Sequence, residues 1–322
     1  MGTINLTSSS LSGHLGLAEF AQMFGTTSDK LPPTCRQLIG QFNFAYTVLD
    51  APARDATILN VLKILEADLP VSGKSRIARW EEGWGENLNA FINSGYDINT
   101  LTPGYYKSFH EKTRQVMRLH GEYVLPEDPD FETNIFAVLR AWLCETWLKD
   151  VDHVYEFGCG PAHNLAAFAR IFPNKTYHGL DWARPSQEII NALAEAHHLP
   201  IDGSRFDLFA PDPTYTIAPR AAILTIGALE QVGANCEPFL QYCLNQSPQL
   251  CVHIEPLYEL YDPDNLFDYL GARYHLKRGY LMAYLTHLRE LEAAGKIQIL
   301  YLKKHIGNLY QDSWNTVVFQ PC

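Results

Sequence analysis

The sequence is short of positive charge: 25 lysines and arginines stand against 36 acidic residues, a formal net charge of −11. That excludes a general affinity for nucleic-acid backbones, which needs a positive field, and leaves only a local basic groove open. Cysteines are few and unpatterned. There are 7, with no Cys-x-x-Cys and no regular spacing, so a disulfide framework is excluded and free thiols in a reducing compartment are expected. None of the 12 histidines falls in a His-x-x-x-His or His-Glu-x-x-His spacing, so no helix offers two of them to a metal, and no required metal is expected. No apolar run approaches the length of a membrane span. The N-terminus has no basic region followed by an apolar one, so no signal peptide is expected, and Leu6 stands where a myristoylation motif wants Ser or Thr. What remains is a cytoplasmic globular chain: 322 residues, 47% hydrophobic and 19% charged, enough for one large domain or two ordinary ones.

The informative stretch runs from Val151 to Asp181. Val154, Tyr155 and Phe157 form a short apolar run suited to a buried parallel strand. Gly158 and Gly160 allow a sharp turn and a close approach to a ligand. Leu165, Phe168, Ala169 and Phe172 recur at helical spacing, so a helix opens after the glycines with its free N–H groups facing the turn. Tyr177 to Leu180 is a second strand, and Asp181 at its end is placed to accept both hydroxyls of a ribose. A dinucleotide fingerprint would need a third glycine, but position 163 is His. The series is Glu156-x-Gly158-x-Gly160-x-Ala162. A carboxylate before the turn repels a pyrophosphate and suits the ammonium of a bound amino acid.

This pattern resembles motif I of the class I S-adenosylmethionine (SAM)-dependent methyltransferases, with Ala162 replacing the third glycine. The resemblance covers about the last 170 residues. It implies an α/β fold: a seven-stranded, mostly parallel twisted sheet of order 3-2-1-4-5-7-6, flanked by helices. The period along the chain agrees as far as it goes. Strands are expected near 199–209, 221–229 and 250–254, then a long helix starting near Leu281, then two terminal strands at 297–302 and 316–319. The resemblance further implies SAM as cofactor. Gly158 and Gly160 would lie against its methionine part and Glu156 would receive its ammonium. Asp181 would take the ribose, with Trp182 and Leu208 or Phe209 at the adenine ring and Asp207 near the adenine amino group. Gly227 to Val232 resembles the "LEHV" segment of small-molecule methyltransferases, with Gln231 where His is frequent.

Residues 1–150 resemble no family. Helical spacing recurs through them: Leu17 to Phe24, Ile58 to Leu69, Arg76 to Ile92, Tyr105 to Leu119 and Phe136 to Trp147. A helical N-terminal region (1–150), serving as acceptor-binding part or lid, and a SAM-binding domain (151–322) are therefore expected. Tyr105, Tyr106 and Arg114, with Trp80, Trp84, Phe109, Lys74, Arg76 and Lys107, are the acceptor-binding candidates; rings give contact area and cations hold carboxylate or phosphate. Glu230, His253 and Glu255 are the catalytic candidates. They fall at the expected C-terminal sheet edge, and His253 and Glu255 alternate onto one face of a strand. The expected activity is methyl transfer to O or N of a small or medium-sized metabolite, with a homodimer left open. A silent SAM-fold partner subunit and an NAD-type oxidoreductase are the alternatives.

Overall fold

A computed structural model describes residues 11–322. The N-terminal region comprises β1 (Ser12–His14), α1 (Leu17–Met23), α2 (Pro33–Gln41), β2 (Ala45–Val48), α3 (Ala51–Glu66), α4 (Ile77–Asn93), α5 (Lys107–Glu111), β3 (Met117–Leu119), β4 (Glu122–Pro126) and α6 (Phe131–Trp147). The remainder comprises β5 (His153–Phe157), α7 (His163–Ile171), β6 (Thr176–Asp181), α8 (Arg184–His197), β7 (Ile201–Arg205), β8 (Ala221–Ile226), α9 (Glu237–Gln246), β9 (Leu250–Glu255), α10 (Leu266–Arg278), α11 (Tyr284–Ala293), β10 (Ile297–Lys303) and β11 (Asn315–Pro321).

These last seven strands form one sheet in the order β10-β11-β9-β8-β5-β6-β7. Numbered from β5, that is 3-2-1-4-5-7-6, as the resemblance implies. Strands β5 to β9 are parallel, while β11 runs antiparallel between β9 and β10. After β7 the chain returns to the far side of β5 and enters β8. Strand order therefore reverses between β5 and β8, and a crevice opens at their C-terminal ends.

The N-terminal region is not purely helical. Four short strands make a second, antiparallel sheet of order β1-β2-β4-β3. The expected helix from Tyr105 to Leu119 is likewise corrected. Only α5 is helical, ending where Lys112 turns left-handed at φ 50°. Beyond it, β3 and β4 form a hairpin whose two turn residues, His120 (φ 54°) and Gly121 (φ 79°), both have the positive φ of a type I′ turn. The helix expected from Leu281 is α11, and the separate helix before it, α10, was not expected. Gly279, at φ 60°, closes α10, which Asn265 caps at its start by accepting from the N–H groups of Phe267 and Asp268.

One continuous apolar core joins the two regions. Phe24 of the front stacks on Trp142 of α6 with ring centroids 4.8 Å apart, and the same core reaches Val154, Leu165 and Val252 in the large sheet. No helix among the described residues is long and apolar enough to cross a membrane.

Candidate functional site

The turn after β5 is held by its neighbour strand, since Gly158 N–H and Cys159 N–H both donate to Leu180 O, at 2.6 and 3.1 Å. Gly158 (φ 74°) and Gly160 (φ 53°) lie in the left-handed region. A Cβ at Gly158 would stand 2.4 Å from the Cβ of Ala228, so the glycine is what lets the β5 turn meet the segment leaving β8. A Cβ at Gly160 would stand 2.9 Å from the Trp84 ring, which α4 lays over the turn. Between these surfaces runs a cleft with an empty volume of about 620 Å3, its mouth included.

Glu156 lines this cleft at 1% exposure. Its Oε1 accepts from Asn164 Nδ2 at 2.7 Å, whereas Oε2 is buried with no partner. Burial pushes the carboxyl up to about 8, against the pull of Asn164 and Arg140. Asp181, also in the cleft, accepts from Gly160 N–H and Ala183 N–H, both at 2.9 Å. Burial raises it to about 6 despite those two donors. Each carboxylate oxygen has two lone pairs, so both stay able to accept from a ligand. Two buried carboxyls around one cleft suit a cation and oppose a pyrophosphate.

Trp182 and Leu208 line the cleft as expected of ring-covering residues, and Trp182 stacks on Phe209 with centroids 5.5 Å apart and planes 7° apart. Tyr105 lines it too. Asp207 does not. Strand β7 stops at Arg205, and the Asp207 carboxylate turns outward to accept from Phe209 N–H at 2.8 Å and to meet Lys74 at 3.5 Å.

The catalytic candidates also separate. His253 is fully buried, paired through Nδ1 with the Tyr284 hydroxyl and packed against Phe239 and Phe319, and it does not line the cleft. Burial lowers its pKa to about 3, so it stays neutral and is a weak base near neutrality. Glu255 is spent on the backbone: it accepts from the N–H groups of Ala228, Leu229 and Glu230 at 3.0–3.1 Å and so fixes the segment beside the cleft. Glu230 lies just outside the lining, bonded at 2.9 Å to Gln231 Nε2, and Gln231 does line the cleft. Burial and the nearby Glu255 raise Glu230 to about 8. Tyr106 is buried under Phe136 and Trp314, and Arg114 is exposed outside the cleft.

Sequence reasoning missed Asn164 and Arg140. Asn164 is the second residue of α7, and Arg140 Nη1 donates to its Oδ1 at 3.2 Å, giving a chain Arg140–Asn164–Glu156. A polar residue at the second position of a helix whose N-terminus faces a ligand was the available signal for Asn164; nothing local marks Arg140. It also missed that Cys243, Cys251 and His253 bring three metal-ligating atoms within 4.8 Å of one another, because the pairing is made between elements. That group is buried in the core, apart from the cleft.

No protein-family profile and no curated protein matches this chain. Solved structures do match at low identity. One is an O-methyltransferase of neocarzinostatin biosynthesis, NcsB1, in complex with SAM and 2-hydroxy-5-methyl naphthoic acid: 16% identity, 96% of this chain and 90% of that chain covered, TM-score 0.41. Another is the methyltransferase domain of bacterial CtHen1-C: 16% identity, 58% and 96% covered, TM-score 0.40. A third is YcgJ from Bacillus subtilis: 11% identity, 56% and 96% covered, TM-score 0.41. The fold itself is plain in the strand order: a seven-stranded, mostly parallel sheet of order 3-2-1-4-5-7-6.

Proposed function

We propose that the cleft binds SAM and that the chain transfers its methyl group to an oxygen or nitrogen of a small or medium-sized metabolite. One observation carries the reading: a buried carboxylate, Glu156, lines the cleft with an oxygen that has no partner. An ammonium supplies the donor that this oxygen lacks. Two glycines at positive φ leave room beside it where any side chain would collide. Asp181, fixed by two N–H groups, offers its remaining lone pairs to vicinal hydroxyls. Trp182 and Leu208 give an adenine-sized ring an apolar wall.

SAM supplies a methyl carried on a sulfonium, a leaving group already activated by its charge. The residues then have two tasks. One is to hold the acceptor in line, which is the work of the cleft wall formed by Gly227, Ala228, Gln231 and Tyr105. The other is to take the acceptor's proton. Glu230, next to Gln231, is the carboxylate assigned to this, since Glu255 is committed to backbone donors; burial and Glu255 raise Glu230 to about 8, so only its ionised fraction acts as base and that fraction grows as pH rises towards 8. With SAM bound, its S–CH3 bond would break as the acceptor's C–O or C–N bond forms, and the acceptor's proton would pass to ionised Glu230.

Calorimetry with SAM, S-adenosylhomocysteine and NADH tests the cofactor. Binding of the first two in the micromolar range supports the reading, and binding of NADH alone ends it. Formation of S-adenosylhomocysteine with an acceptor panel separates an enzyme from a silent partner subunit.

A further inference from the structure

A second cavity lies behind the glycine turn, between α6, α7 and the turn at 98–101, with an empty volume of about 540 Å3. His163 belongs to the walls of both this cavity and the cleft. Arg140 and Arg170 line it, and no Asp or Glu does among the described residues. Arg140 is the telling one. Its guanidinium lies 5.1 Å over the Phe136 ring and makes one hydrogen bond, to the neutral Asn164 at 3.2 Å. Its Nε is buried with no acceptor. Tyr106 Oη and both ring nitrogens of His163 are also buried without partners, and burial holds His163 neutral. Arg140 as a residue is half-buried and Arg170 is exposed, but the Arg140 Nε is shut off from water, and a guanidinium N–H shut off from water is normally given an acceptor. Here the Arg140 Nε, the Tyr106 hydroxyl and the His163 ring N–H are left without an acceptor around one empty space.

We propose that this cavity is an anion site in which Arg140, with Tyr106 and His163, receives the carboxylate or phosphate group of a small ligand. The guanidinium fork matches either group in two-point geometry. The chain Arg140–Asn164–Glu156 links that anion to the carboxylate assigned to the cofactor's ammonium, so this coupling rests on the cofactor reading, whereas anion binding itself does not. Two sources share the chemistry. One is a separate anionic ligand entering from the α6–α7 face; the other is the carboxylate of SAM's own methionine part, reaching past His163.

The test uses the full chain, with sodium phosphate and sodium acetate as probes against sodium chloride at equal ionic strength. Thermal melting of the wild type rises with phosphate or acetate in the millimolar range. Arg140→Met folds, melts no lower without added anion, and no longer responds; Arg140→Lys keeps a weaker response. Saturating S-adenosylhomocysteine then sorts the source. A phosphate response that persists beside it identifies a separate ligand. A response that it abolishes identifies the cofactor's carboxylate, provided that Arg140→Met weakens S-adenosylhomocysteine about tenfold or more but not its decarboxylated analogue. That analogue keeps the ammonium, so an effect acting only through Glu156 would weaken both equally. Equal anion responses in wild type and Arg140→Met overturn the proposal. So does the absence of any response together with unchanged S-adenosylhomocysteine affinity in the variant. Failure of S-adenosylhomocysteine to bind the wild type would instead overturn the cofactor reading, with the anion site still judged on phosphate and acetate.

Discussion

Binding an ammonium at Glu156 should expel a proton. The carboxyl sits at about 8 because burial favours its neutral form, yet only the ionised form pairs fully with the ammonium. At pH 7 a group at about 8 is roughly 0.9 protonated, so binding releases about 0.9 proton, offset by about 0.1 taken up by the ligand's amine. Ionising it at pH 7 costs about 1.4 kcal/mol, one unit's worth, and apparent affinity therefore rises nearly tenfold from about pH 6 to about pH 7. Glu156→Gln removes a charge-assisted hydrogen bond of about 1.5–3 kcal/mol but also removes the ionisation cost, so its defect is no more than about 1.5 kcal/mol at pH 7. The defect grows towards pH 8. Calorimetry of S-adenosylhomocysteine binding in two buffers of different ionisation enthalpy reads the proton directly. Proton release near zero in the wild type, or the same pH slope in Glu156→Gln, would refute the assignment.

Three further outcomes follow from the same geometry. Gly158→Ala forces a side chain onto φ 74° with its Cβ 2.4 Å from Ala228, and should lose about 1–3 kcal/mol in urea denaturation; a loss under about 0.5 kcal/mol would show that the turn yields. His253→Ala should lower stability by about 1–3 kcal/mol, because the Tyr284 hydroxyl is left buried without its partner, while S-adenosylhomocysteine affinity stays unchanged; weakened affinity would place His253 at the cleft after all. Glu132 and Glu255 are raised to about 7 and Glu156 and Glu230 to about 8, from 4.5. The folded chain keeps protons that the unfolded chain releases above about pH 4.5, so this stability is complete at low pH and is lost as pH rises through 7 to 8. The melting temperature should therefore fall from about pH 5.5 to about pH 8.5, and a rise over that range would contradict the burial of these carboxyls.

The parts of the site that were legible in the sequence are local ones. Glu156, Gly158, Gly160 and Asp181 fall within 26 consecutive positions of one strand–turn–helix–strand unit, and spacing alone puts them at one end of it. Asp207 was misplaced because β7 is only five residues long and an Asx turn competes for the side chain once the strand stops. His253 and Glu255 do share a strand face, but alternation does not tell which face meets the crevice, nor that three backbone N–H groups wait for Glu255. In the front half, strands of three to five residues are too short to show a period of two. The β3–β4 hairpin hid inside an apparent helical stripe, with Gly121 the one mark of its turn. Helix α10 was missed, because its marks are the caps Asn265 and Gly279 and not a regular apolar stripe: Leu266, Tyr269 and Leu276 all point to solvent.

Helix α4 brings Trp80 and Trp84 to the cleft as a stacked pair, their ring centroids 5.3 Å apart and planes 25° apart. Two indoles this close couple electronically, and their combined signal in near-ultraviolet circular dichroism depends on the angle between them. The chain thus carries an intrinsic optical gauge of its own doorway: any ligand that lifts Trp84 off Gly160 changes that angle and can be followed in real time without a label.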